Sequence, residues 1–208
     1  MSRCNVTGAT IAIVFGSVLA VGTGSLRASA QSNGKKGGKE ADMQAMMAAW
    51  EKAGAPGEPH KMLQKRVGKW NVIMKSWMTP DQPPMESTGT ADVKSVLGDR
   101  FIQTNFSGTV MGKPFNGIGV TGYDNTKKKF VASWIDSMST GMMRMEGTAD
   151  PSGKVITTQG VSLDPMTGKE TRTRIVERWE GDNKIVEEFY EKRGPKETKT
   201  MEITYVRS

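Results

Sequence analysis

Turn signals recur along the chain from Gly68 to its end, at a spacing of about ten residues. The segments between them are rich in Thr, Val, Ile and aromatic residues and alternate in places between apolar and polar positions, which is typical of β-strands. We therefore predict about ten strands. They cover residues 68–78, 86–97, 100–111, 115–123, 128–137, 141–149, 154–163, 169–180, 184–193 and 196–207.

Successive strands joined by tight turns predict an antiparallel meander, because no helical segment among them is long enough to form a parallel crossover. A meander of this length must close on itself or split into two sheets, since open edge strands invite aggregation. Glycines within the strands favour closure, because a sharply coiled sheet bends at such positions. The predicted fold is thus an all-β, antiparallel up-and-down barrel, with a short helical segment on its N-terminal side.

The first 30 residues have the composition of a signal peptide. They contain two arginines and no acidic residue, include the apolar run 11–21, and end with Ala28-Ser29-Ala30. The run is shorter than the roughly 20 apolar residues that cross a bilayer, although an uncleaved anchor is the alternative. We predict cleavage before Gln31 and export to the periplasm or the extracellular space, without a stable membrane anchor.

The only cysteine, Cys4, lies ahead of the apolar run, so neither a lipid anchor nor a disulfide is predicted. The chain has 29 basic and 22 acidic residues, a net charge of +7. Loss of the signal peptide would remove its two arginines and leave a net charge of +5. Acidic residues are interleaved with the basic ones throughout, so we predict no binding to nucleic acid.

Residues 31–39 are basic and glycine-rich, which predicts a flexible linker. A helix is predicted over about residues 40–53, because Met43, Met46, Met47 and Trp50 follow the spacing of one helical face. We expect this apolar stripe to dock on the barrel. Residues 40–208 would then form a single domain.

Gly68-Lys69-Trp70 begins the first predicted strand. A Gly-x-Trp at this place resembles the first-strand signature of lipocalins and their barrel relatives. The resemblance implies that Trp70 closes one end of the barrel and that a basic side chain of the last strand crosses its ring. Arg207 is the matching residue in this chain.

Four motifs follow one another with regular spacing, in residues 68–70, 97–101, 115–124 and 134–141. Over residues 58–207 this series resembles a bacterial family known only as domain of unknown function 1579. The resemblance implies a calycin-like barrel and assigns no activity to it.

A barrel of this size can enclose a small apolar ligand. Strand alternation places Trp70, Val72, Met74 and Ser76 on one face of the first strand, and Phe130, Ala132, Trp134 and Asp136 on one face of the fifth. The predicted ligand-binding residues are Trp70, Tyr123, Trp134, Asp136, Met143, Arg144, Met145 and Trp179. Alternatively, these side chains fill the interior, and the barrel is a structural or interaction domain for a protein partner that the sequence does not identify.

No catalytic residue is predicted, because the single histidine, His60, precedes the barrel and has no nucleophile beside it in sequence. An enzyme that uses Asp136 or Arg144 is a weaker alternative, and an ion pair between these two residues is the favoured interpretation. Glu177, Glu187, Glu188 and Glu191 are interpreted as the solvated face of a late hairpin. Their expected partners are Arg178, Lys192 and Arg193.

Methionine is abundant, with 15 residues in the chain. Met138, Met142, Met143 and Met145 lie close in sequence, and thioethers suit Cu(I). Methionine also fills irregular cores, and copper sites usually add histidines, so copper is a weaker alternative. No metal and no cofactor is predicted, since zinc and haem would lack histidine or cysteine ligands.

Overall fold

The computed structural model describes residues 33–79, 81–164, 167–193 and 196–208. The predicted signal peptide lies outside the described residues. The described residues divide into two compact units, one that ends at Met43 and one that runs from Gln44 to Ser208. In the part of the chain that is described, no helix is both long enough and apolar enough to span a membrane.

Helix α1 (Asn33–Gly54) begins inside the segment that was predicted to be a flexible linker. A helix that is already nucleated gains a hydrogen bond for each residue that it adds, which offsets the cost of the glycines there. The predicted docking through its apolar stripe is wrong. Met46, Met47 and Trp50 are 56%, 57% and 70% exposed, and Met43 is exposed as well.

The carbonyl groups at the end of α1, and not its apolar face, are bonded to the barrel. Arg100 Nε donates to the Gly54 oxygen at 2.8 Å, and Asn125 Nδ2 donates to the Ala53 and Ala55 oxygens at 2.8 Å. Both donors come from turns at one end of the barrel. These bonds satisfy carbonyl groups that a helix leaves free at its C-terminus.

The described part of the chain contains ten strands after helix α2 (Glu58–Gln64). They are β1 (Gly68–Ser76), β2 (Met85–Val96), β3 (Phe101–Val110), β4 (Lys113–Asp124), β5 (Lys129–Asp136), β6 (Met143–Ala149), β7 (Val155–Leu163), β8 (Glu170–Trp179), β9 (Lys184–Arg193) and β10 (Lys196–Arg207). Each strand pairs antiparallel with its neighbours in sequence, and β1 pairs with β10 to close the barrel. The predicted up-and-down barrel is confirmed.

Alternation along β1 follows the prediction as well. Trp70, Val72 and Met74 are buried, whereas Ile73 is exposed. Their partners on β10 include Arg207, opposite Trp70, and Tyr205, opposite Val72. This register brings the last strand back against the first and leaves no free sheet edge.

Helix α2 contacts β3 and β4 at the end of the barrel where β1 begins and β10 ends, which we call the closed end. Leu63 and His60 of α2 are buried there, and the His60 ring meets the Tyr123 ring edge-on at 5.9 Å between centroids. Helix α2 therefore covers the closed end of the barrel.

The Gly-x-Trp motif has a steric basis at this end. Gly68 has φ +131°, a conformation that L side chains rarely adopt, and a Cβ atom there would lie 2.7 Å from Arg207 Nη1. The Arg207 guanidinium carbon lies over the Trp70 ring, 4.3 Å from its centroid. Glycine at position 68 thus leaves the space that this cation–π contact needs.

Candidate functional site: the barrel cavity

The barrel encloses a cavity of about 410 Å³. Its lining runs from Leu63 and Arg66 at the closed end to Val110, Asp136 and Met143 near the opposite end. Side chains at that opposite end are only partly buried, so the cavity opens there, and we call it the open end. Most of the wall is apolar. It includes Met74, Phe106, Phe115, Phe130, Trp134, Met145, Ile156, Ile175, Phe189, Met201 and Ile203.

Arg66, which follows α2, brings a positive charge to the inner part of the cavity. Its Nη1 donates to Glu177 Oε2 at 2.5 Å and to Glu187 Oε1 at 2.9 Å, and its Nη2 donates to Glu187 Oε1 at 2.9 Å. The three side chains are only 11% to 12% exposed. Together with Tyr205, whose hydroxyl donates to Glu187 Oε2 at 3.2 Å, they form what we call the floor cluster.

The residues of the Gly-x-Trp motif hold the backbone on which Arg66 lies. Trp70 Nε1 donates to the Arg66 carbonyl oxygen at 2.8 Å. Arg207 Nη2 and Nη1 donate to the carbonyl oxygens of Lys65 at 2.8 Å and Val67 at 3.0 Å. Three successive carbonyl groups are therefore fixed by the Trp70–Arg207 pair. The motif closes the barrel and also positions Arg66.

The Arg66 guanidinium forms ion pairs with two buried carboxylates in the floor cluster. Burial raises the pKa of Glu177 above its usual value; the charge of Arg66 opposes this rise, and that of Glu187 adds to it. Burial would lower the pKa of Arg66, but Glu177 and Glu187 outweigh it and raise that pKa, so the guanidinium stays charged. Burial, with the charge of Glu187, holds the pKa of Tyr205 well above its usual value, so its hydroxyl remains a donor.

The interpretation of Glu177 and Glu187 as solvated residues is wrong. Strand alternation explains their burial, because Glu187 shares a face of β9 with Ile185 and Phe189, and Ile185 is fully buried. Glu177 shares a face of β8 with Thr173, which is buried as well. Alternation was the signal that could have identified both; residue type alone placed them at the surface. Glu188, on the other face of β9, does pair with Arg178.

Trp134 and Asp136 lie on the cavity wall near the open end, as do Met143 and Met145. Trp134 Nε1 donates to Asp136 Oδ2 at 3.0 Å, and Asp136 Oδ1 accepts from the Met138 N–H at 2.9 Å. The indole of Trp134 lies against β4, where a Cβ atom on Gly117 would be 2.1 Å from Cζ2. Glycine on β4 therefore allows the ring to lie flat along the wall.

The other four predicted binding residues do not line the cavity. Trp70 and Trp179 meet edge-on at 6.4 Å between ring centroids, and Tyr123 packs on Phe130 at 5.1 Å. Arg144 is exposed, since alternation with the inward Met143 and Met145 turns it outward. Within the described residues no ion pair joins Arg144 to Asp136, so the expected pair is not formed.

A family model described as "Protein of unknown function (DUF1579)" matches residues 55–207. The chain belongs to this family. The match confirms the resemblance that the four sequence motifs indicated, over nearly the same residues. No curated protein matches the chain.

Among solved structures, Rv2717c from M. tuberculosis is 16% identical to this DUF1579 protein, with a TM-score of 0.55. The match covers 74% of this chain and 99% of that chain. A redesigned beta barrel is 12% identical, with a TM-score of 0.38, over 72% of this chain and 95% of that chain. At such identities the likeness to Rv2717c shows the fold alone, and the designed barrel is too dissimilar to add to it.

The four clustered methionines of this DUF1579 protein are divided between two environments. Met143 and Met145 line the cavity, whereas Met138 and Met142 are 58% and 55% exposed on the loop between β5 and β6. Across the ranges that the structure describes, no group of three or more His, Cys, Asp or Glu residues is placed to hold a metal ion.

Proposed function

We propose that this DUF1579 protein binds a small hydrophobic or amphipathic molecule inside its barrel. The observation that supports this proposal is the cavity of about 410 Å³. Small-molecule sites typically measure about 300–1,000 Å³ and combine apolar walls with a few convergent polar groups. A filled barrel, the alternative expected of a structural or interaction domain, would leave no such volume.

The distribution of polar groups supports an amphipathic ligand. The floor cluster lies deep in the cavity, and the walls beyond it are mostly apolar up to Asp136 near the open end. A ligand with an alkyl or aromatic body would bury that body against Phe130, Phe189 and their neighbours. Its polar head would meet either the floor cluster or Asp136.

We further propose that the protein acts after export, because the first 30 residues carry the three regions of a signal peptide. N-terminal sequencing of the protein from fractionated cells tests this proposal. The expected first residue is Gln31, in the periplasmic or extracellular fraction. An intact N-terminus in the cytoplasmic fraction would contradict it.

A fluorescent apolar probe tests binding in the barrel directly. N-phenyl-1-naphthylamine should gain fluorescence with purified protein and saturate near one probe per chain. The Ala132→Phe variant adds a ring to the cavity wall and should abolish this signal. Ile135→Phe adds the same ring to an exposed position of the same strand and should leave binding unchanged. Equal binding by both variants would place the probe outside the barrel and contradict the proposal.

A further inference from the structure

Negatively charged side chains outnumber positively charged ones in the lining of the cavity. Among the described residues that line it, Arg66 is the only cation, against the carboxylates of Asp136, Glu177 and Glu187. The chain as a whole has the opposite bias, with a net charge of +7. The interior is therefore an acidic site within a basic protein.

Arg66 is already engaged by the protein. Its two terminal nitrogens donate three hydrogen bonds to Glu177 and Glu187, so the edge that these nitrogens form faces protein carboxylates. Its Nε is buried and has no hydrogen-bond partner among the described residues. A ligand carboxylate that approached this end of the guanidinium would meet the negative charges of Glu177 and Glu187.

The glutamates retain acceptor capacity. Arg66, Trp179 and Tyr205 direct five hydrogen bonds at their four oxygens. An ionised carboxylate offers roughly four acceptor sites, so the pair is not saturated. The floor cluster is thus suited to receive a further N–H or O–H group.

We propose that the cavity selects amphipathic molecules whose head group donates hydrogen bonds and carries no negative charge, such as an alkyl amine or alcohol. This inference rests on the proposed binding function. An ionised carboxylate on the same alkyl chain is disfavoured, because it would lose its hydration and meet carboxylates in a site of low dielectric constant. The floor cluster supplies the acceptors for the head group, and the apolar wall holds the chain.

Four ligands with the same alkyl chain separate the effect of head-group charge from that of hydrogen-bond donors. Displacement of N-phenyl-1-naphthylamine from the full-length protein is measured at neutral pH with decylamine, decan-1-ol, decanoate and methyl decanoate. Decylamine and decanol should bind at least about tenfold tighter than decanoate, as expected for one unfavourable charge contact of this kind. Methyl decanoate, which is neutral and has no donor, should bind more weakly than decanol.

The outcomes distinguish this inference from the function on which it rests. If decanoate or the ester binds as tightly as decanol, the selectivity is wrong while cavity binding stands. If the probe itself does not bind, the proposed function fails first.

Substitution of a glutamate in the floor cluster tests the cause of the selectivity. Glu187→Gln removes a negative charge and frees part of the Arg66 fork, so decanoate should gain affinity relative to decylamine. Glu170→Gln, at an exposed position of β8, is the matched control and should keep the wild-type ratio. An unchanged ratio in the Glu187→Gln variant would overturn the assignment to the floor cluster. If that variant does not fold, the four-ligand series on the wild-type protein still decides the inference.

Discussion

Arg66 and Arg174 both form ion pairs with glutamate, but the two pairs differ in burial. Loss of the arginine is therefore expected to change the free energy of unfolding by different amounts. Arg66 lies between Glu177 and Glu187 with about a tenth of each side chain exposed. Arg174 forms a two-bond pair with Glu197 and lies over the Tyr190 ring at 4.2 Å, on the outer face of the barrel. A buried pair stabilises little as a unit, but removal of one partner leaves an unpaired buried charge.

Arg66→Met is therefore expected to lower the free energy of unfolding by about 3–5 kcal/mol. Arg174→Met, which removes an exposed pair, should cost about 1 kcal/mol or less. Urea denaturation followed by circular dichroism measures both. Similar losses in the two variants would show that the floor cluster is solvated.

Glu177 should make stability depend on pH. Its pKa is raised in the folded state, so the folded protein binds this proton more tightly than the unfolded chain does. Its stabilising contribution is complete below the ordinary glutamate pKa of about 4.3 and is lost as the pH rises through the raised pKa. The Tm of the wild type should fall relative to that of Glu177→Gln as the pH rises above about 4 and through the raised pKa. Parallel Tm curves for the two proteins would contradict the raised pKa.

At the scale of elements, the junction of α2, β1 and β10 determines both closure and site geometry. Trp70 and Arg207 hold the carbonyl groups of residues 65–67, and Gly68 provides the space for Arg207. The same contacts therefore close the barrel and place Arg66 in the cavity.

Gly68→Ala should destabilise the protein more than Gly112→Ala. Both glycines have positive φ, +131° and +74°, but a Cβ atom at position 112 would meet nothing within 4 Å. The strain of positive φ costs roughly 1–2 kcal/mol at either position, and at position 68 displacement of Arg207 adds to it. Chemical denaturation of both variants measures the difference, and equal losses would show that the Trp70–Arg207 contact contributes nothing.

Gly117→Ala tests the packing of Trp134 between β4 and β5. The added methyl group would overlap the indole, so the ring must move away from Asp136 and change the cavity wall. Tryptophan fluorescence should shift and probe affinity should fall. Gly141→Ala, whose Cβ atom would meet only Ser139 Oγ at 3.4 Å, is the control and should leave both signals unchanged.

Strands and closure were predictable from the sequence, because turn residues and alternation are local signals and glycines mark where the sheet bends. Alternation also placed Trp134 and Asp136, which line the cavity, on one face of the fifth strand. The floor cluster did not, since it joins Arg66 to partners more than 100 residues away in sequence. Glu177 and Glu187 were assigned to the surface by charge alone, although their strand neighbours are apolar. The exposure of the apolar face of α1 could not be predicted, because periodicity indicates an apolar stripe but not which surface covers it.

Residues 68–207 form a barrel with one closed and one open end. Helix α2 and the Trp70–Arg207 pair close one end, and the floor cluster lies next to them. From there the mostly apolar wall of the cavity extends to Asp136 near the open end. Charge and hydrophobicity are thus arranged along the barrel axis. This arrangement suits a ligand that enters with its head group first.

A crystal structure of the protein grown with decylamine tests the central claim most directly. We predict electron density for one alkyl chain inside the barrel, with its nitrogen within hydrogen-bonding distance of a carboxylate oxygen of Glu177 or Glu187. A barrel whose side chains fill the interior, or decylamine bound only on the outer surface, would contradict the account.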